Sequence, residues 1–220
     1  ANNLAILYSS QGRIEEAEPL LSRVHASMEA VLGAEHPNTL SVATNLASCW
    51  TQLDRIDEAE ALMRSGLAIR ERTVGPLNEK TIISALALAN LLLSTEQSEE
   101  ALTLLKRTIP NAESLLGVDH PTTLEGASFL AIAHSMEGDA ERARSIITPT
   151  VARLEASLGS SHPTTLMGLA DHATIEITAG DRAAAAPLLG TILERKATSQ
   201  GPAHVETLTA ALACLENLDA

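Results

Sequence analysis

Three polar side chains in the second half of the chain have the residue types and the spacing of a metal site. His172 and Glu176 are four residues apart, which places them on one face of a helix. His134 lies 42 residues before Glu176, at the same position of an earlier segment. Imidazole and carboxylate groups are ligands of Zn²⁺, but buried polar groups more commonly satisfy one another by hydrogen bonding. We favour the hydrogen-bonded interpretation, and the sequence predicts no metal and no cofactor.

Four other histidines share one repeat position and have a structural explanation. They are His36, His120, His162 and His204. At least one whole segment separates each of them from the next, which is too far for ligands of one ion. The first three directly precede a proline, and proline is favoured at the first position of a helix. We therefore expect these histidines to cap helix N-termini.

No standard catalytic motif occurs in the sequence. It lacks the Gly-Lys-Ser/Thr phosphate loop, His-Glu-x-x-His, Gly-x-Ser-x-Gly and Cys-x-x-Cys. Cys49 and Cys214 lie about four repeats apart and have no basic neighbour in sequence, so we expect two separate, buried thiols in a reducing, cytoplasmic protein. The sequence thus predicts a protein that is not an enzyme.

The charge of the chain limits the classes of partner. Its 15 basic and 28 acidic residues give a net charge of -13. An acidic surface repels nucleic-acid phosphates and anionic lipid, so we expect neither a nucleic-acid partner nor a membrane-surface partner. No apolar run approaches the length of a membrane span. Aromatic residues make up 1% of the chain, whereas alanine and leucine, both strong helix formers, dominate it.

The sequence contains a strict repeat, since glycines recur at an unvarying step of 42 residues. This repeat must position the helices that carry the polar residues. They are Gly33, Gly75, Gly117, Gly159 and Gly201. A fixed period of this length indicates stacked helical units, an all-α solenoid. We divide the single array into units 1–33, 34–75, 76–117, 118–159 and 160–201, with a final helix over 202–220. Both ends fall inside a unit, so we expect a fragment of a longer protein.

Each unit reads as two helices joined by a tight turn. In the unit that ends at Gly75, apolar residues recur at helical spacing from Leu40 to Trp50 and again from Ile56 to Leu67, with a turn at Asp54 between them. Each glycine of the 42-residue step is expected to end a second helix in the left-handed conformation. One column of the repeat is alanine throughout, which lets two helices approach closely. It consists of Ala17, Ala59, Ala101, Ala143 and Ala185.

The third unit departs from this pattern. Asn78 replaces the histidine and Glu96 replaces the glycine of the helix turn. Pro110 falls inside its second helix, where it removes a backbone hydrogen bond and is expected to kink the helix. Pro149 and Pro187 are similarly expected to interrupt or open later second helices.

Several short patterns together resemble the 42-residue tetratricopeptide repeat of kinesin light chains and their relatives. They are Asn3-Leu4-Ala5, Gly12-Arg13 and Glu16-Ala17-Glu18, followed by Leu32-Gly33, His36-Pro37 and Thr39-Leu40. The resemblance covers the whole chain. It implies helix-turn-helix units stacked into a right-handed superhelix, with the first helices lining a concave face that binds peptides or proteins. HEAT and armadillo arrays have overlapping periods and are the alternative architecture.

The resemblance also implies which side chains face the groove. These are Asn2, Asn3, Ile6, Ser41, Thr44, Asn45, Ser48, Asn90, Glu125, Ser128, Phe129, Ile132, Asp171 and Thr174. Asparagine can donate to and accept from a peptide backbone at once, and Phe129 would offer an apolar anchor. Because this face has no lysine or arginine, we expect a neutral to mildly basic protein or peptide partner.

Two functions remain open at this stage. The first is a protein–protein interaction scaffold that binds its partner in the concave groove without catalysis. The alternative is a sensor or regulatory repeat module of a larger multidomain enzyme, such as a kinase, an NTPase or a protease. The oligomeric state is not predicted by the sequence.

Overall fold

The computed structural model describes Leu4, Leu7, Tyr8 and residues 11–200, with the side chains of 198–200 left aside. In residues 11–200 every regular element is an α-helix. The helices are α1 (Ile14–Leu32), α2 (Pro37–Gln52), α3 (Ile56–Thr73), α4 (Glu79–Ser94), α5 (Ser98–Leu116), α6 (Pro121–Met136), α7 (Ala140–Leu158), α8 (Pro163–Thr178) and α9 (Arg182–Gln200). The final helix expected over 202–220 lies outside the described residues, as do His204 and Cys214.

The first helices begin at side-chain caps, as the His-Pro spacing predicts. The Nδ1 atom of His36 accepts a hydrogen bond from the Asn38 backbone N–H at 3.1 Å, and His120 and His162 accept equivalent bonds at 3.2 Å. In α4 the side-chain oxygen of Asn78 does the same for the Lys80 N–H at 2.9 Å. Each bond satisfies one of the N–H groups that a helix start leaves without a partner.

Three second helices, α1, α5 and α7, end at glycines with positive φ, although not in the expected conformation, whereas Val74 caps α3. Gly33 has φ 89° and ψ 159°, and Gly117 and Gly159 are within a few degrees of these values. These angles belong to an extended region that glycine adopts easily and other residues adopt only at a cost. Because ψ is extended, the left-handed helical conformation expected from the sequence is wrong at these three glycines. The extended ψ sends the chain away from the helix axis towards the next His-Pro start.

The described residues up to Thr95 and those from Glu96 onward form two compact units, here called the N-terminal and the C-terminal unit. In the N-terminal unit α2 packs against α1, α3 and α4, around a core that includes Leu21 and Leu46. In the C-terminal unit α7 packs against α6 and α8, around Ile147 and Ile175. The alanine column is buried in both units: Ala17, Ala59, Ala101 and Ala143 are 0% exposed and Ala185 is 2% exposed.

Proline does not interrupt the second helices. Helix α5 continues through Pro110, α7 through Pro149 and α9 through Pro187, so the predicted interruptions at the last two positions are wrong. All three prolines lie on exposed faces. Water can therefore donate to the carbonyl that the missing N–H leaves free, while the buried face keeps the helix in place.

The part of the chain that the structure describes contains no helix with both the length and the apolar character needed to span a bilayer. Its cysteine, Cys49, is 1% exposed, and its thiol lies 3.6 Å from the carbonyl oxygen of Ile14. Burial raises the pKa of this thiol, so Cys49 is a buried thiol as the sequence predicts.

Candidate binding faces on the first helices

The predicted groove residues of the N-terminal unit lie on α2 and α4. Ser41, Thr44 and Asn45 are half-buried, whereas Ser48 and Asn90 are exposed. Asn2, Asn3 and Ile6 fall outside the described residues. We call the five described positions the N-terminal first-helix face.

Most of the hydroxyl groups on this face are occupied by their own helix. The Ser41 hydroxyl donates to the Pro37 carbonyl at 2.9 Å, and the Thr44 hydroxyl donates to the Leu40 carbonyl at 3.0 Å. The amides of Asn45 and Asn90 make no hydrogen bond with any described residue. These two amides therefore retain their full capacity for donating to, and accepting from, a bound chain.

A buried arginine lies behind this face and was missed by sequence reasoning. Arg70 of α3 is 4% exposed, and its guanidinium group contacts the Ser41 hydroxyl oxygen at 3.4 Å. Burial lowers the pKa of Arg70. The sequence contained a signal, because three of the four equivalent positions of the repeat hold the apolar residues Met28, Ala112 and Leu154, and the fourth holds Lys196. Arg70 is not one of the predicted groove residues, and it places a basic group behind the N-terminal first-helix face.

The predicted residues of the C-terminal unit lie on α6 and α8. They are Glu125, Ser128, Phe129, Ile132, Asp171 and Thr174, which we call the C-terminal first-helix face. Thr174 is exposed, and its hydroxyl donates to the Ala170 carbonyl at 2.9 Å. Ile132 is half-buried and packs against the core of this unit.

The aromatic ring of Phe129 is not displayed on this face. Phe129 is only 7% exposed, so its ring is part of the packed interior. The expectation of an exposed apolar anchor at Phe129 is therefore wrong. The residue occupies the asparagine column of the repeat, but a large apolar side chain gains more by turning inward than by remaining in water.

Two half-buried carboxyl groups lie on the C-terminal first-helix face, one on each helix. Burial raises the pKa of Glu125. Burial, together with repulsion from the Glu125 carboxylate, raises the pKa of Asp171 to about 6. Neither carboxyl group makes a hydrogen bond or an ion pair with any described residue. Both groups are therefore poorly compensated when ionised.

A buried hydroxyl lies on the same face. Ser128 is 3% exposed, and its Oγ atom has no hydrogen-bond partner among the described residues. It lies in a packed contact beside Gly168 of α8, where an added Cβ atom would be 3.9 Å from the Ser128 oxygen and 2.9 Å from a Leu154 methyl group. Ser128 is one helical turn after Glu125, and Gly168 is one turn before Asp171.

The candidate metal ligands are engaged in other contacts. Glu176 is 4% exposed, and Arg144 Nε reaches its two carboxylate oxygens at 3.0 and 2.9 Å. His172 Nε2 lies 3.4 Å from Glu176, whereas His134 Nδ1 faces Asp139 at 4.0 Å. The hydrogen bond from Arg144 holds the pKa of Glu176 below its ordinary value. Arg144 is the partner that sequence reasoning missed.

Within the described part of the chain, no group of three histidine, cysteine, aspartate or glutamate side chains is placed to hold a metal ion. His134 and Glu176 share a column of the repeat but not a contact: His134 faces Asp139, whereas Glu176 contacts Arg144 and His172.

The repeat pattern also matches a known family. The sequence profile of the tetratricopeptide repeat matches residues 1–72, 43–114 and 80–148. The chain belongs to the tetratricopeptide repeat family. Its described part is an all-α repeat fold, and this match favours the tetratricopeptide architecture over the HEAT or armadillo alternative.

Solved structures of tetratricopeptide proteins resemble this chain over most of its length. Two of them are crystal structures of the nearly identical TPR-like repeats of a Podosopora anserina protein described as a kinesin light chain, one of them carrying a single substitution. Each is 27% identical and covers 91% of this chain and 95% of its own. The TM-score is 0.72 for the substituted protein and 0.70 for the other. The likeness to kinesin light chain-type repeats predicted from the sequence is thus confirmed.

A further similar structure is BtubC (BKLC) from P. vanneervenii, which is 18% identical. It covers 90% of this chain and 79% of its own, with a TM-score of 0.68, and at that identity it shows the shared fold alone. A comparison with curated proteins gave no match.

Proposed function

We propose that this tetratricopeptide array is a protein-interaction scaffold that binds an extended segment of a partner protein along its first-helix faces, without catalysis. Tetratricopeptide repeats are in general protein–protein interaction modules. The observation that carries the proposal for this chain is the pair of unengaged amides, Asn45 and Asn90, on neighbouring first helices. An amide that no other group occupies can bind the peptide backbone in both directions.

The distribution of reactive groups supports a role in binding. The carboxylate of Glu176 is fixed by Arg144, and three histidines act as helix caps. A general base or nucleophile must be free to reach a substrate proton or carbonyl group. We place the scaffold in the cytoplasm, because the buried, free thiol of Cys49 fits a reducing compartment.

The test uses the 220-residue chain as bait, followed by affinity measurements on the partner that it captures. Asn45→Ala and Asn90→Ala should each weaken binding by at least about 1 kcal/mol, the usual cost of truncating an interface anchor. Ser65→Ala is the matched control, because Ser65 is exposed on the second helix α3 of the same unit. If Ser65→Ala weakens binding while both asparagine variants bind normally, the partner uses another face and the proposal is wrong.

A further inference from the structure

The alanine column is the same in every repeat, so it cannot distinguish one repeat from another. Its members, from Ala17 to Ala185, all place the same buried methyl group in the packing of their second helix. Wrong pairing between similar units is a characteristic failure of repeat proteins. Selection of the correct neighbour must therefore come from positions that differ between repeats.

The residue after each of these alanines differs between repeats, and in two repeats it bonds to the next first helix. Glu18 of α1 accepts a hydrogen bond from Trp50 Nε1 of α2 at 3.1 Å, and Arg144 of α7 donates to Glu176 of α8 at 2.9 Å. These two contacts are equivalent, because three periods of 42 residues separate their members. We call the residues at these two columns the stacking pair. The stacking pairs differ in composition and are Glu18 with Trp50, Glu60 with Leu92, Leu102 with His134, and Arg144 with Glu176.

The pair of Arg144 and Glu176 is selective because its carboxylate is buried. Glu176 is 4% exposed, and an ionised carboxylate removed from water needs a cation or hydrogen-bond donors. Of the second helices α1, α3, α5, α7 and α9, α7 alone carries a cation at this column. Stacked on α5, Glu176 would meet the apolar side chain of Leu102, and on α1 or α3 it would meet another carboxylate. Each of these wrong stacks would bury a charge without its cation, which is strongly destabilising.

The other charged neighbours of this pair do not contribute to the selection. His172 Nε2 lies 3.4 Å from Glu176, but His172 belongs to α8 itself and would accompany Glu176 onto any second helix. Asp181, which lies 3.8 Å from Arg144, follows α8 in the chain and adds negative charge on the same side of the contact. Arg144 is therefore the group that distinguishes α7 from the other second helices.

We propose that the stacking pair Arg144–Glu176 selects α7, rather than another second helix, as the helix on which α8 stacks while the array folds. This selection concerns the assembly of the array and does not depend on the proposed scaffold function. The pair does more than stabilise the finished fold, because it raises the free energy of wrongly stacked chains that the invariant alanine column would tolerate.

Thermal unfolding of the 220-residue chain measures the cost of what α8 would meet on each second helix. Arg144→Leu reproduces the residue of α5, and Arg144→Glu reproduces the residue of α1 and α3. We expect Arg144→Leu to lower the melting temperature by at least about 4 °C and Arg144→Glu to lower it further. The double variant Arg144→Leu/Glu176→His installs the complete pair of α5 and α6. It should recover most of the loss, because Asp181 occupies the repeat position from which Asp139 faces His134.

Refolding of the same double variant separates selection from stability. The variant contains two identical stacking pairs, so α8 matches α5 as well as α7. Refolding is followed by far-ultraviolet circular dichroism after a denaturation pulse too short for proline isomerisation. We expect a slow phase that the parent chain lacks, because wrongly stacked molecules must separate before they fold correctly.

The control for the refolding experiment is Arg153→Leu/Asp119→His. It makes the same kinds of substitution at an ion pair of the same unit whose side chains are 40% and 70% exposed. An exposed pair does not penalise a wrong neighbour, so this control should refold like the parent chain.

Any of three results would overturn the proposal. The first is an unchanged melting temperature in both Arg144→Leu and Arg144→Glu. The second is a double variant Arg144→Leu/Glu176→His that is no more stable than Arg144→Leu, since a matched pair should work at either position. The third is refolding of the double variant without the added slow phase, or with the same phase in the control, which would make the pair a stabilising contact without selectivity.

Discussion

At the scale of single residues, Asp171 lowers the stability of the fold whenever its carboxyl group is ionised. Its pKa is raised from 3.8 to about 6, so the folded state holds the proton more tightly than the unfolded chain. The penalty is therefore absent below the unfolded pKa and grows to its full size as the pH rises through the folded pKa. Asp171→Asn should stabilise the chain by roughly 1–2 kcal/mol at pH 7.5, after allowing for its partial exposure.

Denaturant unfolding at two pH values checks this prediction. The gain from Asp171→Asn should fall to roughly half at pH 5.0, where most of the native aspartate is already protonated. Glu113→Gln is the control, since Glu113 is exposed, and it should change stability little at either pH. A gain that is independent of pH would show that the asparagine acts through packing.

Glu96 is a second single residue with a local cost, because its φ is 61° in the turn between α4 and α5. Other units place Gly12, Gly138 or Gly180 at this turn, with φ between 74° and 84°. Glu96→Gly should raise the free energy of unfolding by about 0.5–1 kcal/mol, since the strain relieved exceeds the added freedom of the unfolded chain.

Chemical denaturation measures the free energy of unfolding of Glu96→Gly and of the control variant Ala179→Gly. Ala179 has φ -74°, so glycine there only loosens the unfolded chain and should destabilise the protein. Equal destabilisation by both substitutions would contradict a strained Glu96.

At the scale of helices, the contact between Arg144 and Glu176 joins α7 to α8. Glu176 is 4% exposed, so removing its guanidinium partner leaves a buried carboxylate with His172 as its remaining contact. We expect Arg144→Ala to lower the thermal stability of the chain clearly, although less than the loss of a fully buried pair would, because 37% of the arginine side chain is exposed. Arg142→Ala, at an exposed site on the same helix, should stay within about 0.5 kcal/mol of the parent. Similar losses in thermal unfolding for the two variants would contradict the role of Arg144.

Pro110 should weaken α5 locally even though the helix is continuous. Proline contributes no N–H and displaces the carbonyl of Lys106 from its normal bond. Native-state hydrogen exchange should therefore be faster over 106–113 than over 56–68, which lies in a helix without proline. Equal protection of the two stretches would mean that packing on the buried side offsets the lost bond completely.

Helix starts were the part of the fold most open to prediction from sequence. Histidine before proline is a local signal, and the cap it forms involves the backbone two residues later, so no tertiary information is needed. The close helix contact at the alanine column was equally predictable, because a fixed period allows each position to be compared with its equivalents in the other units. The ψ angle of Gly33 could not be predicted from the sequence, since it depends on the direction of the next helix relative to the first.

Long side chains make the contacts at the candidate site that the sequence did not predict. Arg70 and Arg144 reach first-helix positions from second helices, and such contacts depend on the packing between helices rather than on spacing along one. Phe129 is a different case, because its column predicted its position along the helix but not the burial of its side chain in the interior. A column of the repeat therefore predicts where a residue lies on its helix better than it predicts which groups a long side chain contacts.

At the scale of the whole molecule, the net charge of -13 bears on how a partner arrives. An acidic protein attracts a basic segment before contact, and this attraction is screened over about 8 Å at physiological ionic strength. For a captured partner with a basic segment, the association rate in stopped-flow experiments should fall about several-fold between 50 and 500 mM NaCl. The dissociation rate should change much less. A salt-independent association rate would show that long-range attraction plays no part.

The unvarying 42-residue step of the alanine column gives the gene a property that a globular domain lacks. If residues 118–159 were excised, Gly117 would be followed directly by Ser160, Ser161, His162 and Pro163, which restores the junction of a glycine, two residues, histidine and proline. Ala101 and Ala185 would then stand one period apart. In-frame recombination between equivalent codons can therefore shorten or extend the array by whole repeats while the helix junctions and the alanine column stay in register, and each event would add or remove binding positions as a set.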